Sequence, residues 1–491
     1  FRLVVFTAGD GWWTPTDEIY EGVRIGEGQE IDGPLRKAPM KRALATLELF
    51  AHFTRAVGLK PEDVHPVATS AIRSASNRDE FLVEAAERTG LKIRVLSDEE
   101  EARYGYLAAV NSTTLDDGAV LDLGGGSLQL VRVKHREARD LRSWPLGAVR
   151  MTERFLDHDG SAGKKHLKAL HKHVAELIAD APAVRKADRL VGIGGTVRNL
   201  AVAAQHAADI PTFGVQGFTI TRKALDDLVE CLADLPPSER SKVPGIKSSR
   251  ADVILGGAAA IQAVLDVGEF DGIEVTEAGL REGVFFELHN KPTGLFDEVR
   301  RQSVLNLHNQ YDDAPVAHVE HVARLVLGMY DDLAAAGLHD GDRAERELLW
   351  AAAMLHDIGV SVDYDDHHKH SRYLILNAGL PGWTQREIAL IAQMARYHRK
   401  GSPGLDDLSA LGRKGDRELV QRCAALLRVA EQLERSRDQL VREAHVEVEN
   451  GSVRLRLVGG GDDVSLARWA AERETSLFER TFSKPLEVVG E

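Results

Sequence analysis

Hydrophobic and polar positions follow two rhythms along the chain, and the change falls near Lys291-Pro292-Thr293-Gly294. Before it, short apolar runs bounded by glycine or charged residues alternate with stretches of helical period. Strands are predicted at Phe1 to Phe6, near Val64 to Ala68, and at Lys92 to Leu96, Ala119 to Leu123, Leu130 to Val133 and Leu190 to Gly192. Helices are predicted from about Lys41 to Val57 and from Asp79 to Thr89. This alternation is the mark of α/β architecture, and the order in the first 109 residues recurs weakly after Asp117. After Gly294, apolar residues recur at helical spacing from Val316 to Leu333, Arg346 to Leu355, Gln385 to Met394 and Glu418 to Leu433. That predicts a separate all-α domain. The tail reads as a hairpin (Val446 to Val448, Val453 to Leu457), a helix near Leu466 to Arg480 and a last strand. The expected boundaries are 1–112 and 113–294 for two α/β lobes, 295–444 for the helical domain and 445–491 for a small α+β domain.

Composition adds little beyond a large globular protein with ample core: 491 residues, 43% apolar and 28% charged. Two cysteines, Cys231 and Cys423, exclude a disulfide framework and predict a reducing, cytoplasmic setting. No apolar run approaches the roughly 18 residues of a membrane helix, and Phe1 to Phe6 reads as a strand rather than a signal peptide. The net charge of −14 argues on its face against a polyanion ligand. Local field matters more than the sum, and basic residues gather at His367, His368, Lys369, His370 and Arg372, and again at Arg396, His398, Arg399 and Lys400. Two such clusters in one domain predict an anion-binding surface. With no recognisable nucleic-acid-binding module in the sequence, nucleic acid is not the expected partner.

Candidate chemistry concentrates where strands run into glycines. Ala-Val-Leu-Asp-Leu-Gly-Gly-Gly-Ser at Ala119 to Ser127 delivers Asp122 into Gly124, Gly125 and Gly126, followed by Ser127. The run fits equally a tight turn after a buried strand and a cradle in which glycines at positive φ aim N–H groups at phosphate. A second element, Gly-Ile-Gly-Gly-Thr, places Gly194, Gly195 and Thr196 after the strand at Leu190. Upstream, Ser97 is placed to cap a helix whose first turn holds Asp98, Glu99, Glu100 and Glu101. Arg73 lies just past a strand in Ala-Thr-Ser-Ala-Ile-Arg.

In their order and spacing, Ala-Thr-Ser-Ala-Ile-Arg, Ser-Asp-Glu-Glu-Glu-Ala-Arg, Leu-Asp-Leu-Gly-Gly-Gly-Ser, Gly-Ile-Gly-Gly-Thr and the later Ala-Gly-Leu-Arg-Glu-Gly resemble the exopolyphosphatase and guanosine pentaphosphate phosphohydrolase family, over nearly the whole chain. The resemblance implies two actin/Hsp70/sugar-kinase-like (ribonuclease H-like) lobes around a cleft. It also implies Glu101 as general base, Arg73 on the transferring phosphoryl group, Gly124 to Ser127 and Gly194 to Thr196 on phosphates, and Asp122 on Mg²⁺, with K⁺ as a second candidate cation. A homodimer comes with it. Two departures stand out. The family's first phosphate loop, Asp-x-Gly-x-Asn-Ser, is not found before Phe1, so the numbering is expected to start inside the first strand region. Gln129 stands where the family keeps a glutamate.

In the helical part, His318, the pair His356-Asp357, and Glu431 resemble the ligand order of the HD phosphohydrolase superfamily, with Glu431 in place of the usual aspartate. Val360 replaces a lysine found in many active members, and the resemblance implies an HD-like domain kept as a structural remnant. The basic residues His370, Arg372, Arg396, His398, Arg399 and Lys400 are then expected to line a path for long polyphosphate. The activity expected is release of orthophosphate from the end of inorganic polyphosphate. Guanosine pentaphosphate hydrolysis is the first alternative. An ATP-dependent kinase of the same superfold, an HD-type phosphohydrolase and a non-catalytic polyphosphate or alarmone sensor are the others.

Overall fold

The computed structural model describes residues 1–30, 33–156, 162–185, 187–211, 213–311, 315–449 and 451–490. They form two compact units: Phe1–Ala8, Trp13–Ala207 and Phe218–Asp297 in one, Gly9–Trp12, Ala208–Gly217 and Glu298–Glu491 in the other.

The first unit is built on a six-stranded mixed sheet in the order Glu137–Trp144, Leu128–Lys134, Gly118–Leu123, Leu190–Ile193, Gly272–Val275 and Phe218–Thr221. Gly118–Leu123 pairs antiparallel with Leu128–Lys134 and parallel with Leu190–Ile193. In Gly118–Leu123 every residue but Asp122 is buried, which is why the strand reads as a continuous apolar run. The helix Asp98–Val110 lies on this sheet, with Leu107 and Val110 packed among Val120, Val131, Val191 and Ile193. Burying each such side chain stabilises the contact by about 1.5–3 kcal/mol, so the helix that carries Glu101 is fixed to the sheet that carries Asp122.

The amino-terminal part departs from the expected duplication. Its strands form two separate pairs, Arg2–Gly9 with Trp12–Tyr20 and Val67–Ala68 with Arg94–Val95, rather than a second sheet like the first. Helices Lys37–Ala56 and Arg78–Thr89 pack beside them through Leu44, Leu47 and Phe81. A cavity of about 680 Å³, lined by Leu3, Val5, Phe50, Val67, Ile93 and Phe285 among others, occupies the space flanked by both pairs.

The second unit is helical, with long helices Val316–Ala335, Arg343–Leu355, Gln385–Tyr397 and Asp416–Leu433 as the periodicity predicts. Two further helices, Val299–His308 and His367–Ala378, lack a clear apolar stripe in the sequence. The tail forms a three-stranded sheet, Glu443–Glu449, Ser452–Val458 and Leu486–Gly490, with two short helices, Ser465–Glu472 and Thr475–Phe482, in place of the single one expected. It is not a separate domain: Val453, Leu455, Leu457 and Phe478 join one core with Val322, Met329, Leu426 and Val429. Among the described residues no helix is long and apolar enough to cross a membrane.

Candidate functional site

Ser97 caps the helix Asp98–Val110 as the sequence predicts, accepting from the Glu100 N–H while the Glu100 carboxylate accepts from the Ser97 N–H at 2.8 Å. This fixes the first turn and turns Glu101 inward, where the residue is 8% exposed. Arg73, at the end of the short helix Ser70–Arg73, donates to Glu101 Oε2 at 2.8 Å, to Asp98 Oδ1 at 2.6 Å and to the Leu96 carbonyl at 2.9 Å. The guanidinium expected on a phosphoryl group is engaged here with the expected base. Burial pushes the Glu101 carboxyl above its ordinary range, and the Arg73 hydrogen bond restrains that rise.

Asp122 ends its strand at the mouth of the site. Desolvation and the nearby Glu101 charge push its carboxyl up to about 7, with Arg198 opposing. Among the described residues it has no ion-pair partner. The site residues fit a hard dication: Mg²⁺ takes one or two carboxylates, keeps several waters and binds phosphate oxygens, and a desolvated, unpaired carboxylate beside a second one is stabilised by such a charge.

The three glycines form the turn that was one of the two readings of the run. Gly124 to Ser127 is the turn of a hairpin in which Leu123 pairs with Leu128 and Asp122 with Gln129. The positive φ expected there is absent from Gly124, Gly125 and Gly126 and occurs at Gly194 instead, with φ +96. The turn closes through Gly124 N–H to the Ser127 carbonyl, and the carbonyls of Gly124 and Gly125 accept from Ala148 and Val149 at the start of the helix Ala148–Phe155. The N–H groups of Gly125 and Gly126 have no hydrogen-bond partner among the described residues and are free to face an anion. A Cβ at Gly126 would press on Ser70 Oγ, so this turn lies against the segment holding Arg73.

Gln129 is 1% exposed and donates to Ser127 Oγ at 2.9 Å, leaving the hydroxyl proton for another acceptor. Its amide also stabilises the charged form of Glu101. The departure from glutamate thus removes a third buried carboxylate and substitutes a donor. On the other side, a Cβ at Gly194 would stand 3.1 Å from Asp122 Oδ1, so the glycine permits close approach as well as positive φ. Thr196, second residue of the helix Gly195–Ala207, has a buried hydroxyl with no partner among the described residues.

Two arginines here, Arg250 and Arg198, were not singled out by sequence reasoning, and a third, Arg281, lies in the Ala-Gly-Leu-Arg-Glu-Gly motif. The Arg250 guanidinium lies against Gly195 where any side chain would collide with it, and burial lowers its pKa. Arg198 donates to the Glu277 carbonyl at 2.6 Å and sits within electrostatic reach of Asp122, Arg250 and Arg281. Arg198 had a signal, one turn beyond the second glycine element; Arg250 is distant in sequence from every motif and had none.

Fold and site together define an α/β phosphatase of the actin-like class. The sequence model of the Ppx/GppA phosphatase family matches residues 4–291, and that of the family's domain III matches residues 299–464. The chain belongs to the Ppx/GppA phosphatase family. Among solved structures, the Aquifex aeolicus family member is 29% identical, covering 60% of this chain and 94% of that one, with a TM-score of 0.53. A second Aquifex aeolicus structure, of a PPX-GPPA enzyme, is 30% identical over 58% and 94% with a TM-score of 0.51. An exopolyphosphatase from Cytophaga hutchinsonii, 21% identical over 60% and 96%, shares the fold with a TM-score of 0.55.

In the helical unit His318, His356, Asp357 and Glu431 come together, and Asp357 also meets His367 and His398. Burial works against protonation of His318, but the Glu431 and Glu434 carboxylates overcome it and push the imidazole up to about 9. Burial and the neighbouring His356 hold His398 down at about 3.

The expected polyphosphate path is corrected in part. His398 is 1% exposed and belongs to the buried cluster. Arg372 is bound to Gln393 and Asp407, Arg399 donates to the carbonyls of Tyr364 and Asp365, and Lys400 pairs with Asp366. Arg396 lies over the Tyr397 ring, and His370 is half-buried. Of these cations Arg372 and Lys400 are paired with acids, Asp407 and Asp366, and Arg399 is held by carbonyls of the segment just before His367.

Proposed function

We propose that the protein is an exopolyphosphatase, hydrolysing the terminal phosphoanhydride bond of inorganic polyphosphate to orthophosphate and a chain one phosphate shorter. The buried Arg73–Glu101 pair beside Asp122 supports the reading best. A base held on a permanent cation keeps a fixed geometry, and its raised pKa brings it nearer to neutrality, where a proton acceptor works well. Glu101 takes a proton from water as the water oxygen bonds to the terminal phosphorus and the bond to the bridging oxygen breaks. The amides of Gly125 and Gly126 and the Ser127 hydroxyl hold terminal phosphate oxygens, and Arg198 and Arg250 offset charge along the chain. Asp122 would hold Mg²⁺, which when bound neutralises phosphate charge. Amides, hydroxyl and guanidinium groups all address phosphate oxygens, which is why a phosphate chain is the substrate chosen. In the same reading the helical unit is HD-like.

The test is orthophosphate release, with Mg²⁺, from long-chain polyphosphate and from guanosine pentaphosphate in parallel, by the wild type and Glu101→Gln. Polyphosphate is expected to turn over faster, and the variant to lose about 10²–10⁴-fold. Faster turnover of guanosine pentaphosphate would reassign the substrate; a fully active variant would reassign the base.

A further inference from the structure

Six side chains of the helical unit converge in a way that the hydrolytic reading of the α/β unit does not use. His356, His367 and His398 each place Nδ1 at 2.7 Å from a carbonyl three residues earlier, those of Ala353, Tyr364 and Ala395. A carbonyl only accepts, so in all three rings Nδ1 carries the proton and the Nε2 lone pair is left to face inward. This is the arrangement by which proteins orient metal-binding imidazoles.

The lone pairs meet. His367 Nε2 and His398 Nε2 are 2.9 Å apart, and Asp357 Oδ1 lies 3.3 Å from the first and 3.7 Å from the second. Two acceptor nitrogens at that distance repel unless a cation serves both. On the other side, Glu431 Oε2 is 3.1 Å from His356 Nε2 and 3.3 Å from His318 Nε2, while Asp357 Oδ2 is 3.7 Å from His318 Nε2. His318 is 3% exposed, and among the described residues neither of its nitrogens has a partner in hydrogen-bond geometry. Bonds of about 2.0–2.2 Å from one ion to nitrogen and oxygen ligands put neighbouring ligand atoms roughly 3–3.6 Å apart, close to the spacings here.

We infer that the helical unit holds two transition-metal ions bridged by the Asp357 carboxylate, the second of them on His367 and His398. Oδ1 lies nearest His367, His398 and His356 and Oδ2 nearest His318, so the two oxygens together reach all four imidazoles. The first ion takes His318, His356, Asp357 and Glu431; the second takes Asp357, His367 and His398. The imidazole-rich donor set suits Zn²⁺, Fe²⁺ or Mn²⁺ rather than Mg²⁺, which prefers oxygen ligands throughout. Arg437, which donates to Asp357 Oδ2 at 3.0 Å, orients the bridge from outside. The inference stands apart from the polyphosphate reading, because every residue in it belongs to the other unit.

The full-length protein is loaded separately with Zn²⁺, Mn²⁺ and, under anaerobic conditions, Fe²⁺, then desalted and its metal content measured by mass spectrometry. Two ions per chain are expected for the wild type with at least one of these metals, one for His367→Asn/His398→Asn and near none for Asp357→Asn. One ion or fewer in the wild type with all three metals overturns the proposal, as does a double variant that keeps two. A measurement free of any variant is electron paramagnetic resonance of the Mn²⁺-loaded wild type. A bridged pair gives an exchange-coupled spectrum, whereas two isolated-ion signals, or one, overturn the shared carboxylate.

Discussion

Glu101 in the α/β unit and Asp357 in the helical unit are both buried carboxylates, yet their surroundings differ in kind. Glu101 is met by a guanidinium at 2.8 Å, a permanent charge that stays whatever the pH. Asp357 is ringed by His318, His356, His367 and His398, whose charge depends on protons and whose lone pairs suit a metal, with one guanidinium, Arg437, to the side. Beside Glu101, Asp122 has no ion-pair partner among the described residues, only Arg198 at electrostatic range. In the proposed reading the α/β site keeps its base in place and leaves a second carboxylate for a hard, exchangeable ion, while the helical cluster offers nitrogen donors for ions held tightly. Residue type, more than burial, separates the site proposed to turn over phosphate from the one proposed to retain metal.

The sharpest way to break this comparison is Glu101→Gln. The Arg73 contact and the packing survive, and orthophosphate release falls about 10²–10⁴-fold, roughly 3–5 kcal/mol of barrier. If release is unchanged, Glu101 is only a structural partner of Arg73 and the contrast fails. Next in size is Gly194→Ala. At φ +96 and with Asp122 Oδ1 at 3.1 Å from the new Cβ, it is expected to cost about 1–3 kcal/mol in chemical denaturation and to weaken Mg²⁺ dependence of activity. A variant with wild-type stability would show that the close approach is unimportant.

A third test uses pH. In chelator, folded Asp122 binds its proton up to about 7, against 3.8 for an ordinary aspartate. Between those values the native state holds more protons than the unfolded one, so wild-type stability falls as pH rises through this window. Asp122→Asn is expected to flatten that part of the denaturation-versus-pH curve and to be the more stable protein above pH 7. A slope that persists unaltered would exclude Asp122 as its source. The smallest effect is Ser97→Ala, which removes the cap of the helix bearing Glu101 for about 1 kcal/mol, read as a shift in the denaturation midpoint.

How much was legible in the sequence depended on whether the signal was local. The Ser97 cap, the acidic first turn and the strands before both glycine runs depend on neighbours in sequence, and they fall where the residues predict. Gly124 to Gly126 were visible, but the sequence left their conformation open. Glycines suit both a hairpin turn and a loop at positive φ, and only pairing of Leu123 with Leu128 decides between them. His367 and His398 were visible as part of a basic run, but which side of a helix faces inward depends on distant elements that the run does not encode. His367 and His368 turn in and Lys369 turns out. Arg250 reaches Gly195 only through the tertiary fold.

The hairpin that sets Asp122 opposite Gln129 has a consequence for insertions and deletions. Side chains alternate along a strand, so a shift of pairing by one residue would carry Leu121 or Leu123 to the open side and press the carboxylate into the core. A single codon gained or lost between Gly124 and Ser127 is therefore a switch of face rather than a change of loop length. Point changes in the turn are tolerable wherever space allows, but its length is fixed by which way Asp122 must look.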